Sequence, residues 1–146
     1  GSMFTGGTNR GWGSRGKNSF SFQRVNWTGK IPFEVHEMRV KPDGFELTFT
    51  QPADQNTLAD LSSYTMESYT YIYQKGYGSP EVDGTIPMIT QAIPGKNGKS
   101  VILKIDGMVK GNVHELKMSG IRRKGVDQPL LHEVAYYTLN EIPKAN

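Results

Sequence analysis

The stretch that decides the fold is Asp43-Gly44-Phe45-Glu46-Leu47-Thr48-Phe49-Thr50. Its apolar residues, Phe45, Leu47 and Phe49, alternate with polar residues, which is the pattern of a β-strand with one buried face. The preceding Pro42-Asp43-Gly44 favours a tight turn, because proline presets φ and glycine accepts a positive φ. We therefore predict a β-hairpin whose first strand covers residues 33–40.

Outward from this hairpin, further strand patterns recur between turn signals. Alternation returns in Val101-Leu103-Ile105 and in His114-Leu116-Met118, and residues 135–139 form the last predicted strand. A tyrosine- and threonine-rich run covers residues 64–74, and a strand broken by Pro87 covers residues 86–93, with a loop over 76–84 between them. The one predicted helix is a turn or two from Asp54 to Leu61, capped by Asp54 or Asn56. Regular short strands with little helix predict an all-β sandwich.

Length and composition limit the classes of protein. A chain of 146 residues fits one domain, since domains commonly have roughly 100–200 residues. The sequence contains no cysteine, which excludes a disulfide framework, a thiolate metal site and a cysteine nucleophile. There is no apolar run of membrane-spanning length and no signal peptide. Gly1-Ser2-Met3 is typical of a cloning scar followed by a start codon, which indicates an excised domain.

The balance of basic and acidic residues differs between residues 4–30 and the predicted sandwich at residues 31–146. The first 30 residues contain five basic residues and no acidic residue, which leaves 12 basic and 14 acidic residues for the remainder. Such a glycine-rich basic arm can bind an anionic surface. No nucleic-acid-binding motif accompanies it, so neither a nucleic-acid partner nor a membrane partner is predicted.

Several motifs resemble those of bacterial immunoglobulin-like or fibronectin-like modules. They are Asp60-Leu61-Ser62-Ser63-Tyr64-Thr65, Val101-Ile102-Leu103, Gly111-Asn112-Val113-His114-Glu115-Leu116 and Ile121-Arg122. This resemblance implies an immunoglobulin- or fibronectin III-like β-sandwich of about seven to nine strands with one short helical turn.

Longer strings resemble the C-terminal region of large secreted bacterial proteins whose upstream part is similar to a glucose/sorbosone dehydrogenase β-propeller. They are Thr8-Asn9-Arg10-Gly11-Trp12-Gly13-Ser14, Gln23-Arg24-Val25, Trp27-Thr28-Gly29, Pro32-Phe33-Glu34, residues 43–50 and Tyr77-Gly78-Ser79-Pro80-Glu81. The resemblance implies that residues 4–30 are the end of the upstream propeller or the linker leaving it. It also implies a periplasmic, cell-surface or secreted parent protein, with upstream domains of the same polypeptide as partners.

Aromatic residues are the candidate ligand-binding residues. Tyr69, Tyr71 and Tyr73 occupy alternate positions, so one face of a strand would present three rings about 6.6–6.8 Å apart. Exposed rings of this kind stack on sugars, whereas buried ones cover a core or an interdomain surface. Tyr77 and Trp12 would extend the site, while Trp27 is expected to pack inward.

No catalytic or metal-binding arrangement is evident. His36, His114 and His132 are widely separated, and the serines lack a nucleophile-elbow motif. Glu81 and Asp83 offer oxygen ligands for Ca²⁺, but without EF-hand spacing. We expect no cofactor and no enzymatic activity in this chain, although the resemblance implies a parent similar to a sugar dehydrogenase.

Two functional hypotheses follow. The first is a non-catalytic accessory module between domains of a secreted carbohydrate-active or redox protein. The alternative is an independent carbohydrate-binding module that binds polysaccharide through the aromatic residues. A small hydrolase, as a third class, would require a pocket with converging titratable groups.

Overall fold

The computed structural model describes residues 1–8 and 18–145. The chain divides into two units, Gly1–Ile31 and Pro32–Asn146. The first contains a β-hairpin and the second is a β-sandwich. No helix in the described part of the chain is long and apolar enough to span a membrane.

The hairpin is formed by β1 (Ser2–Thr8) and β2 (Phe20–Asn26), which pair antiparallel from Ser2 opposite Asn26 to Thr8 opposite Phe20. The sequence over Phe20, Phe22 and residues 25–27 predicts a short strand, and β2 confirms it. The glycine-rich sequence of residues 6–16 predicts no regular structure, yet Gly6 and Gly7 lie within β1. A Cβ atom on Gly7 would lie 2.5 Å from the Ser21 hydroxyl, which would then have to rotate away.

The second unit contains eight strands in the described residues. They are β3 (Val35–Lys41), β4 (Gly44–Phe49), β5 (Thr65–Tyr71), β6 (Glu81–Thr85), β7 (Met88–Pro94), β8 (Ser100–Asp106), β9 (Val113–Lys117) and β10 (Val134–Thr138). A short helix, α1 (Gln55–Ala59), and a 3-10 turn (Leu61–Ser63) join β4 to β5.

The eight strands form two antiparallel sheets, ordered β3-β4-β8-β7 and β10-β9-β5-β6. With β3 as strand A, these orders correspond to A-B-E-D and G-F-C-C′ of the immunoglobulin arrangement. The predicted all-β, immunoglobulin-like sandwich is therefore confirmed, and its strand number lies within the predicted range.

The core lies between the two sheets and is built by the alternating strands. Phe45, Leu47 and Phe49 of β4 are buried, as are Leu103 of β8 and Leu116 of β9. The tight turn before β4 also forms as predicted, with Lys41 opposite Gly44. At Gly44, φ is 157° and a Cβ atom would collide with the backbone carbonyl of Leu103, so β4 and β8 require glycine there.

The strands around β6 differ from the prediction. The strand predicted over residues 64–74 ends at Tyr71, and the predicted loop over 76–84 contains most of β6. The register between β5 and β6 shifts between Ser68 and Thr70, because β6 has one extra residue there. Asp83, with φ 54°, lies in this bulge. This bulge hides the alternation that would otherwise reveal an edge strand.

Candidate functional site

Two of the predicted ligand-binding tyrosines lie on the outer face of the β10-β9-β5-β6 sheet. In the strand register, Glu67 and Tyr136 both lie opposite Glu115. Tyr69 and Tyr71 are on the same face of β5 as Glu67, because side chains two residues apart share a face. We call this surface, defined by Glu67, Tyr69, Tyr71, Glu115 and Tyr136, the tyrosine face.

Tyr69 is packed within the tyrosine face and is only 9% exposed. Its hydroxyl donates a hydrogen bond to Glu115 Oε2 at 3.2 Å, and its ring meets Tyr71 edge-on with 5.6 Å between centroids. Burial raises the pKa of the Tyr69 phenol, and hydrogen bonding with Tyr71 and Glu115 raises it further. Tyr69 is thus held in place by Glu115 and Tyr71. The Tyr71 side chain is 47% exposed and presents its ring to solvent.

The other predicted aromatic residues lie off this face. Tyr73 and Tyr77 follow the end of β5 and are fully exposed in the connection to β6. The regular strip predicted for Tyr69, Tyr71 and Tyr73 therefore stops at Tyr71, where the strand ends. Trp12 lies outside the described residues.

Charges on the tyrosine face are linked through Lys117. Its ammonium lies 3.0 Å from Glu67 Oε1 and 3.5 Å from Glu115 Oε1. The hydrogen bond to Glu67, with that carboxylate's charge, raises the pKa of Lys117. The cation is thus held between two carboxylates, and solvent screening makes such exposed pairs weak contributors to stability.

A groove lies beside β6, at the edge of the sandwich. It consists of two adjoining depressions of about 360 and 420 Å³ that share Glu67 and Ile86. We call it the edge groove; its lining also includes Leu61, Tyr64, Glu81, Val82, Pro87 and Ile89. The sequence predicts a loop where β6 forms, so this groove is not expected from the sequence. The bulge at Asp83 leaves no continuous alternation that would indicate the strand.

The structure does not bring the three histidines together. His114 is fully buried on β9, whereas His36 is exposed on β3. His132 is exposed, and its Nδ1 lies 2.6 Å from Glu34 Oε2. Among residues 1–8 and 18–145, no three His, Cys, Asp or Glu side chains are placed to hold a metal, so Glu81 and Asp83 gain no third ligand of these types.

The hairpin carries a second aromatic surface that the sequence analysis missed. The strand register places Phe4, Phe20 and Phe22 on one face, and we call these three residues the aromatic ridge. The Phe4 and Phe22 rings are stacked, with centroids 5.6 Å apart and planes 9° from parallel. Trp27, expected to pack inward, is 65% exposed, so that prediction is wrong: it follows the end of β2 instead of facing a core.

The fold, but not the sequence, is similar to solved domains of a bacterial surface-layer protein. The structure titled "surface layer protein SbsC, domains 1-6" matches with a TM-score of 0.57 and 16% identity, over 79% of this chain and 14% of that chain. The N-terminal part of the bacterial S-layer protein SbsC matches with a TM-score of 0.56 and 17% identity, over 75% of this chain and 24% of that chain. This chain therefore spans less than a quarter of the length of those structures.

Sequence comparison adds no family. No protein-family model matches the chain, and no curated protein matches it. The likeness to the surface-layer domains therefore establishes the fold alone.

Proposed function

We propose that the chain is a non-catalytic, extracellular structural module of a larger bacterial protein, in which it connects and spaces neighbouring domains. The observation that carries this proposal is the likeness of the fold to SbsC, where it occupies only 14% of a six-domain structure. An immunoglobulin-like sandwich is suited to this role because its core is self-contained and its surface is free to contact neighbours.

The chemistry of the described surface also supports a structural role. The edge groove contains two carboxylates, of which Glu67 is already paired with Lys117. A hydrolytic or transfer site needs a nucleophile with an adjacent base, or two carboxylates across a cleft. The buried His114 and the exposed His132 lie outside the residues that line the groove.

The location can be tested on intact cells of the organism that encodes the parent protein. We expect an antibody against this module to label unpermeabilised cells, or to detect the module in the medium. Brief external protease treatment should remove the labelled fraction while a cytosolic marker stays intact. Detection only after lysis would contradict the proposed extracellular role.

The parent protein's context is a narrower proposal, supported by the resemblance of residues 8–14, 23–25, 27–29 and 77–81 to regions that follow dehydrogenase-like propellers. On this proposal the module accompanies a secreted carbohydrate-active or redox domain. The full-length parent should then oxidise aldoses in the presence of an artificial electron acceptor. A parent that lacks a propeller domain, or that has no such activity, would contradict it.

A second candidate function is polysaccharide binding, favoured by the exposed rings of Tyr71, Tyr73 and Tyr77. Exposed tyrosines can stack on the apolar faces of sugars while their hydroxyls bond to sugar oxygens. We expect Tyr71→Ala to lose retention on insoluble polysaccharide and signal on a glycan array. Leu131→Ala, which removes an exposed side chain outside the tyrosine face, is the control and should bind normally. Equal retention by both variants would reject the Tyr71 site.

A further inference from the structure

The aromatic ridge is a surface that requires a cover. Phe20 and Phe22 are each 78% exposed, and Phe4 is 59% exposed. An isolated two-stranded hairpin is at best marginally stable in water, since it has no core of its own. A contiguous exposed apolar patch of this kind marks an interaction site in a soluble protein.

Charge restricts what can cover the ridge. Arg24 lies on the same face, where its Nε donates to Ser2 Oγ at 3.1 Å and to Asn26 Oδ1 at 3.0 Å. No carboxylate in the described residues forms an ion pair with Arg24. Because the first 30 residues contain no acidic residue, the complementary carboxylates must come from elsewhere.

The edge groove has the opposite properties. Its lining is largely apolar, and Ile86, shared by its two depressions, is 84% exposed. Glu81 supplies negative charge and forms no ion pair within the described part of the chain, whereas Glu67 is paired with Lys117. An apolar groove with carboxylates thus lies on the sandwich, while an exposed apolar surface with a guanidinium lies on the hairpin.

We propose that the aromatic ridge of one copy of this chain docks into the edge groove of a second copy. The phenylalanines fill the apolar depressions, and Arg24 approaches Glu81. Because ridge and groove are different surfaces, the contact is heterologous, and each copy can both donate a ridge and receive one. This proposal deepens the proposed structural role, on which it rests, by naming a second copy as the neighbour.

Complementary variants test the contact. We expect the full-length wild-type chain to show concentration-dependent self-association in sedimentation velocity. Phe22→Ser removes the ridge and Ile86→Ser damages the groove, so each alone should weaken self-association by about tenfold or more. Their equimolar mixture should form a dimer and no larger species, because one intact ridge meets one intact groove.

Several controls keep this test decisive. Leu131→Ser removes an exposed aliphatic residue outside the groove and should associate as the wild type does. If Phe22→Ser unfolds the hairpin, its groove still receives the ridge of the Ile86→Ser chain, so the mixed dimer is still expected. A double variant Arg24→Glu/Glu81→Arg should regain association that either charge reversal weakens.

Two results would overturn the proposal: a wild-type chain that stays monomeric at every concentration, or a variant mixture that forms no dimer. Neither result depends on where the parent protein is found, so the proposed extracellular role stands or falls by the cell-labelling experiment.

Discussion

At the scale of single residues, His114 is a fully buried polar residue of the core. Its ring is fully buried, and Nε2 accepts a hydrogen bond from the backbone N–H of Val109 at 3.3 Å. The neutral ring therefore carries its proton on Nδ1, which has no partner in the described part of the molecule. Directly opposite on β5, the buried hydroxyl of Ser68 is unpartnered as well. Burial lowers the pKa of His114, partly opposed by the backbone carbonyl of Asn112.

This burial predicts a loss of stability in mild acid. The unfolded histidine has a pKa of about 6.5, whereas the folded one has a lower pKa, so the unfolded state binds more protons below that pH. The contribution of His114 to the free energy of unfolding is therefore complete above pH about 6.5. The free energy of unfolding declines as pH falls toward the folded pKa of His114, by at most about 1.4 kcal/mol per pH unit.

Chemical denaturation between pH 7 and 5 measures this effect. We expect His114→Gln to lose that share of the pH dependence, although it destabilises the fold at pH 7. His36→Gln, which replaces an exposed histidine, should retain the wild-type slope. An unchanged slope in His114→Gln would show that other groups cause the acid sensitivity.

At the scale of elements, α1 depends on its cap. Asp54 Oδ1 accepts hydrogen bonds from the backbone N–H groups of Asn56 at 2.9 Å and Thr57 at 3.2 Å. These N–H groups have no partner within the helix, because the first turn lacks preceding carbonyls. The sequence allows either Asp54 or Asn56 as the cap, and in the structure the cap is Asp54.

We therefore expect Asp54→Ala to lower the free energy of unfolding by about 1 kcal/mol, as loss of an N-cap commonly does. Asn56→Ala is the matched control, since its side chain does not cap α1, and it should have a much smaller effect. Urea denaturation at pH 7 compares the two variants. Equal losses would mean that the cap contributes nothing specific.

The elements that could be predicted from sequence are those whose alternation is uninterrupted. Phe45, Leu47 and Phe49 predict both the strand and its buried face, because one sheet face of β4 meets the core. The strand β6 could not be predicted in this way, since its bulge at Asp83 breaks the period of two. The strand β1 was missed because its glycines carry no periodic signal, and its pairing with β2 depends on the partner strand.

Less of the candidate site than of the fold could be predicted, because the site depends on contacts between distant strands that local alternation does not reveal. Alternation places Tyr69 and Tyr71 on one face of β5, but it does not reveal that Tyr69 is packed while Tyr71 is open. The packing of Tyr69 involves Glu115 of β9, which is 46 residues away from Tyr69 in sequence. The aromatic ridge likewise requires the register between β1 and β2 to bring Phe4 beside Phe22.

At the scale of the whole sandwich, Phe45 joins the two sheets. It belongs to the β3-β4-β8-β7 sheet, and its ring centroid lies 5.1 Å from that of Tyr137 and 5.7 Å from that of His114. Both neighbours belong to the opposite sheet. The two layers therefore share one aromatic cluster, and damage to it should affect both.

We expect Phe45→Ala to cost about 3–5 kcal/mol, the usual range for truncating a buried phenylalanine. Amide exchange should then increase in β9 as well as in β4, because the shared cluster holds both sheets. Leu131→Ala, at an exposed position, should change stability by no more than about 0.5 kcal/mol. Faster exchange confined to one sheet would contradict the shared cluster.

The prolines that border the edge strands have a consequence for solubility. Pro80 precedes β6, Pro87 separates β6 from β7, and Pro94 ends β7. Proline has no N–H to donate, and the bulge at Asp83 distorts the remaining edge. Open sheet edges otherwise recruit further strands and seed fibrils. We therefore expect this edge not to template amyloid growth when many copies are crowded together.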